Sequence, residues 1–218
     1  MKNLYCIAGL GADKNVFQYL DLSFIRPVYV DWLPPFENEP LQNYAMRLKQ
    51  QFIHDEHPVI FGLSLGGMLA IEIAKAVPSA KVIIISSAKT KNEIPYYWKI
   101  FRHIRVYKIL PEWSVRKNSL SRNYFLGAKK EETRNYVKQV AEKADANFYR
   151  WAIGAILSWQ NETVPSNVFH IHGTNDKLLP SRFIKADKLI ANGGHLMILE
   201  NAEAVSSLIR ALIADQDG

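Results

Sequence analysis

Cysteine is almost absent: the chain of 218 residues has only Cys6. An internal disulfide is therefore excluded, and an apolar core must hold the fold. The same scarcity favours a reducing compartment, so a cytoplasmic location is expected. Long apolar runs are lacking as well. No stretch approaches the roughly 20 residues of a membrane-spanning helix. The run Leu4 to Leu10 has only Lys2 ahead of it and no small-residue cleavage pattern behind it, unlike a signal peptide. No internal repeat or low-complexity linker is present, which argues against solenoids and tethered modules. His54 and His57 lie close in sequence without a third ligand nearby, so no metal site is expected.

What remains is a chain that is 48% hydrophobic, enough for one globular domain with a sizeable core. Its apolar residues come in short continuous runs separated by helical spacings. Strands are predicted over Asn3 to Ala8, Pro27 to Trp32, Val59 to Leu63, Lys81 to Ser87, Asn167 to Gly173 and Lys188 to Ala191. Helices are predicted over Leu41 to Asp55, Leu65 to Val77 and His195 to Asp215, with a short one capped by Asp13. Continuous rather than alternating apolar strands imply a parallel sheet covered on both faces. Cys6, between Tyr5 and Ile7, reads as a packed thiol, and His170 and His172 as strand residues held by hydrogen bonds.

Against this background one pentapeptide stands out, Gly62-Leu63-Ser64-Leu65-Gly66. G-x-S-x-G between a strand and a helix reads as a nucleophile elbow, a turn so tight that its flanking positions leave no room for a side chain. Ser64 would project from the tip with the Leu65 amide beside it. A serine hydroxyl needs a base, usually a histidine oriented by a carboxylate. Asp176, in His172-Gly173-Thr174-Asn175-Asp176, and His195, after Gly193-Gly194, both follow predicted strands. All three residues would then meet at the carboxyl edge of the sheet, where open parallel sheets bind ligands.

These segments, in the order Ser, Asp, His, resemble those of the α/β-hydrolase superfamily. The resemblance covers roughly residues 3–87 and 163–215. It implies a mostly parallel sheet of about six strands flanked by helices, with a helical cap insertion at 88–162 between two parts of the core, 1–87 and 163–218. It also implies an oxyanion hole built from the backbone amides of Leu10 and Leu65. Many relatives have histidine where this chain has Ala8, and the antiparallel strands that commonly precede the first strand here are missing. The implied chemistry is hydrolysis of a carboxylic ester or thioester through an acyl-enzyme, with no metal or organic cofactor. Lyase, C–C cleavage and perhydrolysis chemistry, or ligand binding alone, also occur on this fold.

The cap segment differs in composition from the rest. Residues 88–160 hold fifteen Lys and Arg against six Asp and Glu, while the remaining chain holds twelve against fifteen. This is either a solvated helical surface or a docking face for an acidic partner or anionic substrate, such as an acyl-carrier protein, a CoA thioester or a membrane surface, with Arg102, Arg105 and Lys108 as test positions. No nucleic-acid motif accompanies the charge. The aromatics Tyr96, Tyr97, Trp98, Phe101, Trp113, Tyr124, Phe125, Phe148, Tyr149, Trp151 and Trp159 are divided between packing the cap and lining a pocket.

Overall fold

The computed structural model describes residues 1–98, 100, 106–117 and 119–214. Arg102, Arg105 and Phe101 lie outside the described residues. The sheet has six strands among the described residues: β1 (Asn3–Ile7), β2 (Arg26–Val30), β3 (Val59–Leu63), β4 (Lys81–Ile85), β5 (Val168–Gly173) and β6 (Lys188–Ile190). Their order is β2-β1-β3-β4-β5-β6, and every pairing is parallel. Helix α1 spans Leu41–Phe52 and α2 spans Leu65–Ala76. Between β4 and β5 come α3 (Glu112–Arg116), α4 (Leu120–Leu126), α5 (Glu131–Glu142) and α6 (Ala146–Ser158). Two helices close the described chain, α7 (Met197–Glu200) and α8 (Ala202–Ala214).

The continuous apolar runs fill both faces of the sheet. Leu4, Cys6, Phe61, Ile83 and Ile171 join one core with Val16, Phe17, Val137, Val205 and Ile209. Their strand neighbours Tyr5, Ile7, Ile60, Val82 and Ile84 join the opposite core with Leu41, Tyr44, Leu48, Leu69, Ile73 and Ala152. Successive strand residues point to opposite sides, so a strand buried on both sides must be apolar throughout. Cys6 is buried, and burial pushes its thiol far up, as a packed thiol requires.

Strand order places the site. From β1 the chain turns outward to β2, whereas from β3 it turns the other way to β4. The loops leaving β1 and β3 therefore diverge and open a crevice at their carboxyl ends.

Several boundaries differ from the predicted ones. β4 stops at Ile85 rather than Ser87, because Ser86 takes a left-handed φ of 49° that ends extended pairing. The predicted final helix is two helices broken at Asn201, and His195 lies in the turn before α7 instead of opening the helix. Asp13 does cap the short 3₁₀ turn Lys14–Phe17, accepting a hydrogen bond from the Asn15 amide at 3.0 Å.

The return from α6 to β5 is tied to α2. Trp159 donates its indole N–H to Glu72 at 2.7 Å, and Glu72 also pairs with Lys75 at 2.6 Å. Lys75 in turn reaches the Asn161 side chain at 3.0 Å. Among the described residues no helix is long and apolar enough to cross a membrane.

Candidate active site

Ser64 joins β3 to α2 with φ 52° and ψ −116°, a conformation that costs a non-glycine residue of the order of 1–3 kcal/mol. The surroundings enforce it. The Ser64 amide donates to the Ile85 carbonyl at 3.0 Å, and the Ser64 carbonyl accepts from the amides of Gly67 and Met68 and from the Ser87 hydroxyl. A Cβ on Gly62 would lie 2.5 Å from the Gly66 carbonyl oxygen, and one on Gly66 would lie 2.2 Å from that of Ile7. Backbone occupies both places, so the two glycines of the pentapeptide are steric requirements. Ser64 starts α2 without capping it through its side chain, which leaves Oγ free to face the crevice.

His195 and Asp176 reach Ser64 from β5 and β6. The loops after these strands are stitched together: Thr174 donates to the Ile190 carbonyl at 3.0 Å and Asn175 to the Gly193 carbonyl at 2.9 Å. Leu196 donates to the Leu126 carbonyl at 2.9 Å, which anchors the histidine turn against the end of α4. The result brings the three predicted residues together. His195 Nε2 lies 3.0 Å from Ser64 Oγ, and His195 Nδ1 lies 2.8 Å from Asp176 Oδ2. Asp176 and His195 are 2% and 3% exposed.

Asp176 is saturated with partners. Oδ1 accepts the amides of Leu178 at 2.9 Å and Leu179 at 2.8 Å. Burial alone would push its carboxyl up, but the charge and hydrogen bond of His195 and the Leu179 amide outweigh burial and hold it below the usual value. The site therefore keeps an ionised carboxylate against the imidazole.

Gly9 packs on the serine: a Cβ there would lie 3.4 Å from Ser64 Cβ. Leu10 follows Gly9 and Leu65 follows Ser64 in the chain, and neither amide donates to a protein acceptor among the described residues.

Three further residues belong to the neighbourhood, and of these Ser87 had no signal in the sequence. Ser87 supports the Ser64 carbonyl at 2.6 Å. His172 lies behind Asp176, its Nε2 at 2.8 Å from the Leu179 carbonyl and 3.7 Å from Asp176 Oδ2. Burial lowers its pKa and keeps the ring neutral. His170 departs from expectation: both ring nitrogens are buried without a hydrogen-bond partner among the described residues, and burial, then the neighbouring His172, hold its pKa well below 6.5.

A cavity of about 400 Å³ opens above Ser64 and His195. Gly9, Leu10 and Leu178 contribute from the sheet side, and Arg122, Phe125 and Tyr149 from the helices between β4 and β5. Of the eleven aromatics singled out between residues 96 and 159, only Phe125 and Tyr149 line it among the described residues. Phe148 and Trp151 instead stack against Trp32 and Tyr44, and Tyr96 and Tyr97 against Phe183. Among the described residues no group of three or more His, Cys, Asp or Glu side chains is placed to hold a metal ion.

Comparisons with known proteins agree with this geometry at the level of fold. The chain superposes on a lipase-esterase related protein from Clostridium acetobutylicum with a TM-score of 0.70 and 16% identity, covering 96% of this chain and 93% of the other. An esterase from Exiguobacterium antarcticum gives 0.71 and 14%, covering 98% and 92%. The epoxide hydrolase CorEH gives 0.67 and 13%, covering 99% and 92%. Among curated proteins, sequence comparison finds no match. The sequence profile of the alpha/beta hydrolase family matches residues 4–208. A match running from the first strand into the last helix covers the whole sheet and the segment inserted in it, and the chain belongs to the alpha/beta hydrolase family.

Proposed function

We propose that the protein is a serine hydrolase that cleaves a carboxylic ester or thioester through an acyl-enzyme. The observation that carries this reading is the unbroken relay from Ser64 Oγ through the His195 imidazole to the Asp176 carboxylate, with contacts of 3.0 and 2.8 Å. Ser64 Oγ attacks the substrate carbonyl carbon while its proton passes to His195 Nε2. Asp176, ionised, fixes the tautomer that leaves Nε2 free to accept and stabilises the imidazolium. The amides of Leu10 and Leu65 donate to the oxyanion, each worth about 3 kcal/mol of barrier. His195 then protonates the leaving alcohol or thiol as the C–O or C–S bond breaks. Water repeats the attack on the acyl-enzyme, again giving its proton to His195, and the acid leaves as Ser64 recovers its hydrogen.

In this reading residues 1–87 and 163–218 form the hydrolase core, and 88–162 a cap that encloses the acyl group. The basic excess of the cap suits an acidic carrier of a thioester, with Lys108, Arg116 and Lys117 exposed upon it.

The test is turnover of p-nitrophenyl esters from acetate to decanoate, beside Ser64→Ala. Wild-type hydrolysis that disappears in a folded Ser64→Ala protein is expected, and the preferred chain length measures the cavity. Equal turnover by the two proteins would refute the proposal.

A further inference from the structure

The cavity above Ser64 contains a charge that the reaction does not use. Arg122 lies in its wall on α4, and no Asp or Glu side chain lines the cavity among the described residues. The guanidinium donates from Nη2 to the carbonyls of Val115 at 2.7 Å and Ser114 at 3.5 Å. Those contacts fix the side chain but leave its charge uncancelled. Nε and Nη1 have no partner among the described residues, and no carboxylate pairs with Arg122 there. Arg116, by contrast, pairs with Glu112 at 2.7 Å.

Tyr149 stands beside this cation. Its hydroxyl lies next to Gly11, so close that a Cβ there would sit 1.9 Å away. Burial raises its pKa against the opposing charge of Arg122, so the phenol stays protonated and able to donate. No hydrogen-bond acceptor is recorded for that hydroxyl among the described residues. A guanidinium and a phenol thus face one largely apolar cavity whose remaining lining includes Phe125, Leu126, Val137 and Val140. An uncompensated cation in a partly desolvated pocket is costly until an anion occupies it.

We infer that the substrate carries a carboxylate at the end remote from its scissile carbonyl, bound by Arg122 and Tyr149. The inference rests on the ester-hydrolase reading above and narrows it to half-esters or acyl groups of dicarboxylic type. Charge balance favours a carboxylate over a phosphate monoester, since one guanidinium matches one negative charge whereas a phosphate monoester carries nearly two. The planar fork of arginine also suits the two oxygens of a carboxylate. The apolar lining between Arg122 and Ser64 would cover a short methylene chain.

The experiment compares p-nitrophenyl hydrogen glutarate with p-nitrophenyl valerate, which has an acyl chain of equal length without the charge. The expected kcat/KM ratio is about tenfold or more in favour of the charged ester, the size of a hydrogen-bonded charge. In Arg122→Met, which keeps the length of the stem, that ratio should fall to one or below. In Tyr149→Phe it should fall by a smaller factor. Arg122→Lys, retaining charge without the fork, should lie between wild type and Arg122→Met, which separates lost recognition from lost folding. A wild-type ratio of one or less, or a ratio that survives Arg122→Met, would overturn the inference. If neither ester is turned over, the ester-hydrolase reading fails and calorimetry decides the inference alone. Glutarate must then bind wild type more tightly than valerate does and lose that advantage in Arg122→Met. Equal binding of the two acids would reject it.

Discussion

The rim of the sheet and the helices between β4 and β5 are built by different rules. At the rim, backbone packs on backbone: Gly66 against Ile7, Gly62 against Gly66, Gly173 within 2.2 Å of Gly193 measured from a Cβ it does not have. None of Gly62, Gly66 and Gly173 can gain a Cβ without moving a main chain. Between β4 and β5, side chains pack on side chains, and many face outward. Helix α4 has no buried residue among those described, Trp113 is 68% exposed and Leu120 is 88% exposed. In the proposed function the rim fixes where nucleophile, base and acid meet, and the helices select what reaches them; an esterase and an epoxide hydrolase have this same fold at similar TM-scores.

Breaking the relay should have the largest effect. In Asp176→Asn the side-chain oxygen can keep the amides of Leu178 and Leu179, but an N–H now faces His195 Nδ1. The imidazole must then carry its proton on Nε2, opposite Ser64, and cannot act as a base. A fall in kcat of about 10⁴-fold is expected with little change in thermal stability. Steady-state ester kinetics and a thermal melt on the same sample check this, and a fall smaller than tenfold would contradict it.

Next comes a pair of like substitutions on the two sides of the comparison. Gly66→Ala drives a Cβ into the carbonyls of Ile7 and Ala8, at 2.2 and 2.4 Å, where only main-chain movement gives relief. Gly154→Ala meets the Tyr107 ring at 2.5 Å, a side chain on a partly exposed turn. Destabilisation of about 4 kcal/mol or more is expected for the first and about 1 kcal/mol for the second, read by denaturant unfolding. Equal costs would mean that the helices are as tightly constrained as the rim.

The smallest effect is a pH dependence. His170 and His172 are held neutral by burial, so the unfolded chain binds protons below about pH 6.5 that the folded chain does not. Stability therefore falls as pH drops through that range, by up to about 1.4 kcal/mol per pH unit for each ring. His170→Leu should make the decline from pH 7.5 to 5.5 shallower in a series of thermal melts. An unchanged slope would show that His170 takes up its proton in the folded state.

The comparison also explains what the sequence revealed. Steric requirements leave glycines, and the glycines of the elbow and the strand-end positions of Asp176 and His195 made the site legible. Continuous apolar runs made the parallel sheet legible in the same way. The boundary of β4 escaped because serine gives no warning that Ser86 will adopt a positive φ. Nothing local announces that Glu72 is buried, where it accepts from Trp159, 87 residues away, and pairs with Lys75. Arg122 was equally silent, and nothing set Tyr149 apart from the other cap aromatics. Their relation to Ser64 arises from how α4 and α6 pack over the crevice, and no local pattern encodes that.

The strand that delivers His195 has a further consequence. β6 is three residues long and pairs only with β5 among the described residues. Short border elements open at a free-energy cost well below that of the whole molecule. Detaching β6 would carry the imidazole away from Ser64 while β1, β3 and β4 remain paired. Under the proposed function, heat inactivation would then precede heat denaturation, and activity would report on the soundness of one sheet edge before the sheet itself is lost.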